Sequence, residues 1–403
     1  MDRRDFLKTT AVMSAVVALP ASGATDGGLN YVGYVPTNVG APPGTSCFFG
    51  KHTQWAYCPV DGKLYCYGGD GDWRLPDVGF KQQQSLNSVL SYDFAKGGLW
   101  KQESRQFGRM EDKTCPYYHD GCTWVYNSKD DHFYAIPGYQ PPYVAANDPH
   151  RIMALDRGKV HKFNRKTGSW SAGPPANWVQ EHWGGCYDSQ RNRIWIQVRG
   201  GNFGRLHWYD CDSSTFGFVQ LPSVPALPAY TGLGVELSTG AWTQRYNPVT
   251  DELICFDGYR GFVIGIRLRD LAPRIVASVP KLDPTSGEPV AAIEAALCIS
   301  VKRQKAFVSY PDPPQVVGGV TGVWVADLAS GKTEHANFAP IANKPSSWTQ
   351  SEYDETNDSL ILVANAYDPQ VWGRRFIQYK FNDAGAAKTK GAEAAMTVAS
   401  SRE

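Results

Sequence analysis

The feature that most constrains this chain is a repeat. A Tyr, a short polar turn and, seven positions after the Tyr, an apolar residue return along its length. Tyr57 leads through Pro59-Val60-Asp61-Gly62 to Leu64, and Tyr126 leads through Asn127-Ser128-Lys129-Asp130 to Phe133. Tyr187 leads likewise to Ile194, Tyr246 to Leu253 and Tyr353 to Leu360, with a weaker copy from Ser300 to Phe307. The starting positions 57, 126, 187, 246, 300 and 353 are 69, 61, 59, 54 and 53 residues apart. Strand, tight polar turn and second strand make a β-hairpin signature. A further strand follows in most units: Leu90 to Asp93 before Trp100, Val160 to Asn164 before Trp170, His207 to Asp210, and Val323 to Asp327 before Gly331. A unit of this size cannot bury its apolar face alone, so it must stack on its neighbours. The recurring tyrosines are explained by the repeat itself and are expected to be scaffold.

Six units of about four strands each predict an all-β chain folded as a β-propeller. Composition agrees, with 40 Gly, 27 Pro and 13% aromatic residues marking many turns and strands. The pattern resembles the kelch-like propellers: Gly68-Gly69 and Gly200-Gly201 follow second strands, and a Tyr-Asp, a Gly and a Trp come on later strands. The resemblance covers about residues 50–385, and one propeller domain is expected over 25–385. The sixth unit runs out after Phe376 to Phe381. An early strand over Asn30 to Val35 is expected to complete it and close the ring; a seventh blade built from residues 28–50 is the alternative. Residues 386–403, rich in Ala, Lys and Gly, read as a disordered tail.

The first 24 residues read as an address. Arg3-Arg4-Asp5-Phe6-Leu7-Lys8 precedes an apolar stretch from Ala11 to Leu19 and the small residues of Pro20-Ala21-Ser22-Gly23-Ala24. This resembles the bacterial twin-arginine export signal, which implies delivery of a folded protein to the periplasm or beyond. After it no apolar run approaches the ~20 residues that cross a bilayer, so no membrane insertion is expected once the signal is removed. The full chain carries a net charge of +1, and residues 25–403 hold 37 basic and 37 acidic residues. That balance excludes a dedicated nucleic-acid binder, which needs a basic footprint. Nine cysteines leave at least one unpaired. Cys58, Cys66, Cys122, Cys186, Cys255 and Cys298 lie in apolar strand-like runs and are expected to be reduced and buried.

Function is expected where the segments entering the inner strands and the loops after the second strands open on one face, because loops vary freely on a rigid scaffold. His52, His119, His150 and His182 fall there, with Trp183, Trp242 and Trp348 at equivalent or adjacent repeat positions. Arg199 and Arg205 flank the loop Gly200-Gly201-Asn202-Phe203-Gly204, and Tyr139, Tyr143 and Arg151 lie in the long loop of the second unit. Aromatic planes with Arg and His suit a carbohydrate carrying carboxylate or sulfate groups. A repeated Trp equally suits packing between blades. Cys115, His119 and Cys122 have donor types that zinc prefers, but no matching pair follows elsewhere. No cofactor or metal is required by this chemistry.

The layout resembles the propeller-fold ulvan and oligogalacturonide lyases. That resemblance implies elimination on an acidic polysaccharide, with His119 as base and His182 or Tyr139 as acid or polar contact. Arg199, supported by Arg205, would neutralise the uronate, and His150, Trp183, Trp242, Tyr143 and His52 would hold the substrate. A monomer is expected. Two alternatives stand beside it. A glycoside hydrolase needs two carboxylates, for which Glu181, Glu294, Asp148 and Asp120 are the candidates. A non-catalytic propeller would bind a glycan or a protein partner.

Overall fold

The computed structural model describes residues 29–35, 46–47, 54–67, 70–71, 73–74, 84–85, 89–97, 100–104, 123–136, 159–175, 182–198, 205–221, 244–257, 261–279, 296–309, 320–340, 345–366 and 375–381. These residues form strands and turns only, with no helix among them. The opening strand β1 (Leu29–Val35) is followed by β2 (Ser46–Cys47). Blade one consists of β3 (Gln54–Cys58), β4 (Lys63–Tyr67), β8 (Leu90–Asp93) and β9 (Lys101–Gln102). Between β4 and β8 lie β5 (Asp70–Gly71), β6 (Trp73–Arg74) and β7 (Gln84–Ser85); β6 pairs with β2, and β5 with β7.

The next blades are consecutive four-strand meanders, each antiparallel throughout. Blade two is β10 (Thr123–Asn127), β11 (His132–Ile136), β12 (Lys159–Asn164) and β13 (Ser169–Pro175). Blade three is β14 (His182–Asp188), β15 (Arg193–Val198), β16 (Arg205–Asp210) and β17 (Thr215–Gln220). Blade four is β18 (Gln244–Asn247), β19 (Glu252–Asp257), β20 (Phe262–Arg267) and β21 (Ala272–Ser278). Blade five is β22 (Ala296–Ser300), β23 (Lys305–Ser309), β24 (Val320–Asp327) and β25 (Thr333–Pro340). Blade six takes β26 (Pro345–Asp354), β27 (Ser359–Ala366) and β28 (Arg375–Phe381) from the end of the chain and its outer strand, β1, from the beginning.

Leu29 pairs with Phe381 and Val35 with Phe376, so the expected closing strand is in place. The inner strands β3, β10, β14, β18, β22 and β26 neighbour one another in that order, and β26 returns to β3. The ring therefore has six blades. Residues 28–50 add no seventh, because β1 belongs to blade six and β2 pairs only with the two residues of β6.

Burial explains why the second strands read as continuous apolar runs. Each is covered on both faces by neighbouring blades, and alternate side chains serve opposite junctions. In β4, Leu64 and Cys66 pack towards Ile361 of blade six, whereas Tyr65 and Tyr67 pack towards Trp124 and Phe133 of blade two. In β19, Leu253 and Cys255 join blade three, whereas Ile254 and Phe256 join blade five. The core is thus divided into six slices, one at each junction. Cys58, Cys66, Cys186, Cys211, Cys255 and Cys298 are buried free thiols within these slices or beside them, as expected for the reduced state; Cys122 lies outside the described residues.

Two faces buried also account for one correction to the repeat. The pairing Ile299 with Ala306 and Ser300 with Lys305 shows that Ile299, not Ser300, occupies the position of the tyrosines. Phe307 sits on the opposite face and packs against Tyr353 of blade six. A one-residue slip exchanges faces, and where both faces are apolar the sequence pattern does not reveal it.

The turns between first and second strands form one end of the ring, and a common geometry shapes them. Five residues after each anchor the backbone has positive φ: Gly62 at 68°, Asp131 at 59°, Asn192 at 51°, Asp251 at 53°, Gln304 at 50° and Asp358 at 55°. Gly, Asn and Asp tolerate this region best. The anchor hydroxyl then donates to that side chain: Tyr126 to Asp131 at 2.7 Å, Tyr187 to Asn192 at 2.9 Å, Tyr246 to Asp251 at 3.1 Å, and Tyr353 to Asp358. Gly62 offers no acceptor, and Tyr57 donates across the closure to Asp354 of blade six.

The same end carries a polar latch at every blade junction. Arg165 reaches Asp61 between blades two and one at 3.4 Å, and Asn127 donates to Asn192 between two and three at 2.9 Å. Arg191 grips Asp251 with two bonds of 2.6 and 2.7 Å between three and four. Asn247 donates to Gln304 between four and five at 2.9 Å. Arg303 holds Asp358 between five and six, where Ser300 also donates to Glu355 at 2.9 Å.

Hydrogen bonds from Arg191 hold the Asp251 carboxyl below its ordinary value against the opposing effect of burial. At Asp358 burial pushes upward, but the bonds from Arg303 and Tyr353 outweigh it. A carboxyl lowered by folding stabilises above its unfolded value, near 4, and that contribution is lost as pH falls through the folded value. The melting temperature is therefore expected to hold from neutral pH to about pH 5 and to fall below about pH 4. Asp251→Asn should cost on the order of 1–2 kcal/mol at pH 7 and flatten part of that acid limb, as read by thermal melts across pH.

Candidate functional site

The six inner strands surround a channel, and its described part encloses about 180 Å³ lined by residues of all six blades. Position by position the repeat predicts its walls. One residue before each anchor stand Ala56, Val125, Cys186, Arg245, Cys298 and Glu352. Two of these six are charged, and they find each other. Arg245 Nη2 donates to Glu352 Oε1 at 2.8 Å and to the Ser351 carbonyl at 2.9 Å, while Nη1 donates to the Gln244 carbonyl at 3.0 Å. The pair spans from blade four to blade six past the inner edge of blade five. Each side chain keeps 18% of its surface open. Burial raises the Glu352 carboxyl, opposed by the adjacent guanidinium.

Around this pair the lining is polar and aromatic. Gln244 is 6% exposed, and its side chain lies against the Cys186 thiol. Trp55 and Trp124 border the chamber with their bodies packed into the blades, 5.6 Å from the Trp100 ring and 4.8 Å from the Phe133 ring respectively. Glu352 is the one acid among the described lining residues.

On the side opposite the latches, β14 carries a bulge. His182 pairs with Val198 and Gly185 with Ile196, leaving one extra residue on the inner strand. Gly184 takes a φ of 123°, which a side chain rarely adopts, and its carbonyl accepts from Thr123 Oγ1 of blade two at 2.9 Å. A bulge re-aims the residues around it and recurs next to functional sites. His182 and Trp183 thus begin the inner strand at the rim, and Val198 opposite His182 immediately precedes Arg199 in the chain. A second bulge lies between Ser346 and Thr349 of β26, the stretch that contains Trp348.

Arg205, expected to support Arg199, is exposed at the start of β16. Its guanidinium lies over the Phe218 ring at 4.5 Å and donates to Gln220 at 3.4 Å, both on the outer strand β17. It is therefore engaged away from the channel. His52, Cys115, His119, Cys122, Tyr139, Tyr143, His150, Arg199 and Trp242 lie outside the described residues, as do Asp120, Asp148, Arg151, Glu181 and Glu294. Among the described residues no group of three or more His, Cys, Asp and Glu is placed to hold a metal ion.

Several titratable side chains are accounted for as scaffold. Burial pushes the Tyr187 and Tyr246 phenols up, and both donate to their own turns rather than to the channel. Burial pushes His335 down to about 4, and His207 likewise with help from Arg205, so both rings are neutral at physiological pH. The pair Arg245 and Glu352 was not singled out by sequence reasoning. Its signal was two charges in a repeat column that elsewhere holds Ala, Val and Cys.

Comparison with known proteins supports two statements. Residues 1–20 match the twin-arginine translocation (TAT) pathway signal sequence, so the protein is exported to the periplasm or secreted. No curated protein matches the chain. Its architecture is widely shared: 670 chains of solved structure match it, so the fold by itself selects no activity. One similar structure is a structural-genomics protein of unknown function from Bacteroides thetaiotaomicron VPI-5482. It is 9% identical, with 88% of this chain and 76% of that chain covered at a TM-score of 0.51. The class defined is an exported six-bladed β-propeller.

Two outcomes follow from the channel geometry. In Arg245→Met the Glu352 carboxyl loses its partner, so folding raises it further. A carboxyl raised by folding destabilises above its unfolded value and stops doing so as pH falls. The variant should therefore lose roughly 3 kcal/mol at pH 7 and recover part of it towards pH 5, measured by denaturant titration. A Cβ at Gly185 would sit 2.5 Å from the Trp195 carbonyl oxygen and 2.7 Å from Thr123 Cγ2. Gly185→Ala should accordingly lose about 1–3 kcal/mol through overpacking, visible as a lowered melting temperature.

Proposed function

We propose that the protein cleaves an acidic, uronate-containing polysaccharide by β-elimination at the rim where β14 begins. The observation that carries this reading is the bulge in β14, which puts His182 opposite Val198, next in sequence to Arg199. Arg199 would neutralise the uronate carboxylate, which acidifies the proton on the adjacent carbon. His119 would take that proton; the electron pair left behind forms the new C=C bond and expels the glycosidic oxygen. His182 or Tyr139 would protonate the departing oxygen. The products are one chain with an ordinary end and one with an unsaturated uronate, so no water is consumed and no redox change occurs.

Hydrolysis is supported less well. It needs two carboxylates about 5–9.5 Å apart, whereas the one acid among the described channel residues, Glu352, is bound to Arg245. An acidic ligand would have to be held by a few local cations. Residues 25–403 are formally neutral, so attraction must come from the site rather than from an overall field.

Incubation with a panel of uronate polysaccharides should raise the ultraviolet absorbance of the unsaturated product. His119→Ala and Arg199→Ala should each lower that rate by at least about a hundredfold while leaving the melting temperature nearly unchanged. No rise with any acidic glycan sinks the proposal. Reducing ends appearing without absorbance would replace it by hydrolysis.

A further inference from the structure

Upstream of Gly185 the inner strand β14 can meet β15 in two registers, and they differ in which residue stands at the rim. With the bulge, His182 is opposite Val198 and Gly185 is opposite Ile196. In an unbulged antiparallel ladder both strands advance one residue at a time, so Trp183 would take the place opposite Val198. The bulge therefore exchanges His182 and Trp183 at that register position. It does so against a cost, because a bulge interrupts the ladder and leaves an extra residue unpaired.

Thr123, the first residue of β10 in blade two, offsets that cost from outside the strand. Its Oγ1 donates to the Gly184 carbonyl at 2.9 Å, and both residues are buried. A buried carbonyl within an interrupted ladder is unfavourable unless a donor reaches it. The methyl group of Thr123 fills the space beside Gly185, where a Cβ would lie 2.7 Å from Cγ2. Gly184 meanwhile takes the φ of 123° that a residue without a side chain accepts most readily. Two glycines thus admit the bulge, and a hydroxyl from the neighbouring blade holds it.

We infer that Thr123 is a positioning residue of the rim. Through the Gly184 carbonyl it selects the register that puts His182, rather than Trp183, opposite Val198. Its effect on rate rests on the rim chemistry proposed above, with His182 as the acid. Its effect on register stands without that chemistry.

The test compares Thr123→Val, which keeps the shape and loses the hydroxyl, with Thr123→Ser, which keeps the hydroxyl and loses the methyl group. Crystal structures of the unaltered protein and both variants read the register, and ultraviolet absorbance on uronate polysaccharides reads the rate. The expected result is His182 opposite Val198 in the unaltered protein and in Thr123→Ser, and Trp183 opposite Val198 in Thr123→Val. The kcat of Thr123→Val should fall about tenfold or more with KM held within about threefold, whereas Thr123→Ser should keep most of the rate. His182 still opposite Val198 in Thr123→Val overturns the inference, as does an equal loss of rate in both variants. A changed register with an unchanged kcat overturns it as well. If Thr123→Val does not fold, Thr123→Ala against Thr123→Ser isolates the hydroxyl and is read the same way. If the unaltered protein is silent on every acidic glycan, the rim chemistry falls and the register comparison alone decides.

Discussion

Everything in this protein depends on the ring being closed, and closure rests on one pairing of distant segments. Strand β1, only a few residues beyond the export signal, completes the blade made by the last strands of the chain. Blades buried on both faces have no stable edge to offer water. An open ring would expose a whole core slice at each free end, at roughly 25 cal/mol for every Å² of apolar surface. Pairing Leu29 with Phe381 removes both ends at once. The strand pairing that defines the fold is consequently between distant segments at the closure, whereas blades two to five pair strands that follow one another in the chain.

The two ends of the ring are built on different principles. At one end, short turns with positive φ place an Asp, Asn or Gln where an anchor tyrosine or the next blade can bond it, and a latch spans every junction. Such a surface spends many of its polar side chains on its own hydrogen bonds. The other end receives the bulged inner strands β14 and β26. Between them lies the channel, where an apolar column is interrupted by a single guanidinium and a single carboxylate. A buried pair of this kind adds little stability over apolar residues of similar volume.

Much of the scaffold was legible because a repeat multiplies weak signals. The Tyr-turn-apolar spacing located five of six hairpins in register, and Asn30 to Val35 announced itself as the missing strand. The sixth hairpin was misplaced by one residue at Ser300 because blade five has Ile299 where the others have Tyr. With both faces buried, Phe307 looked as suitable as Ala306. The rim residues were chosen by loop position alone. Of those, His182 is placed on an inner strand opposite Val198, and Arg205 turned out to lie against Phe218 on an outer strand. Strand order cannot reveal that an arginine will stack on a neighbouring ring.

The sequence by itself determined the export signal, the all-β class, the repeat and the tyrosines that serve as scaffold, whereas the choice of six blades over seven came from the strand pairing. Each of these is written in local pattern: adjacent arginines, turn residues and the spacing from each Tyr to an apolar residue. Only the tertiary structure decided that Arg245 and Glu352, 107 positions apart, meet across the channel. The same holds for the latches. These follow from the angle at which blades four, five and six are set around the axis. That angle is fixed by how the core slices pack, a property of many side chains at once that no short stretch of sequence carries.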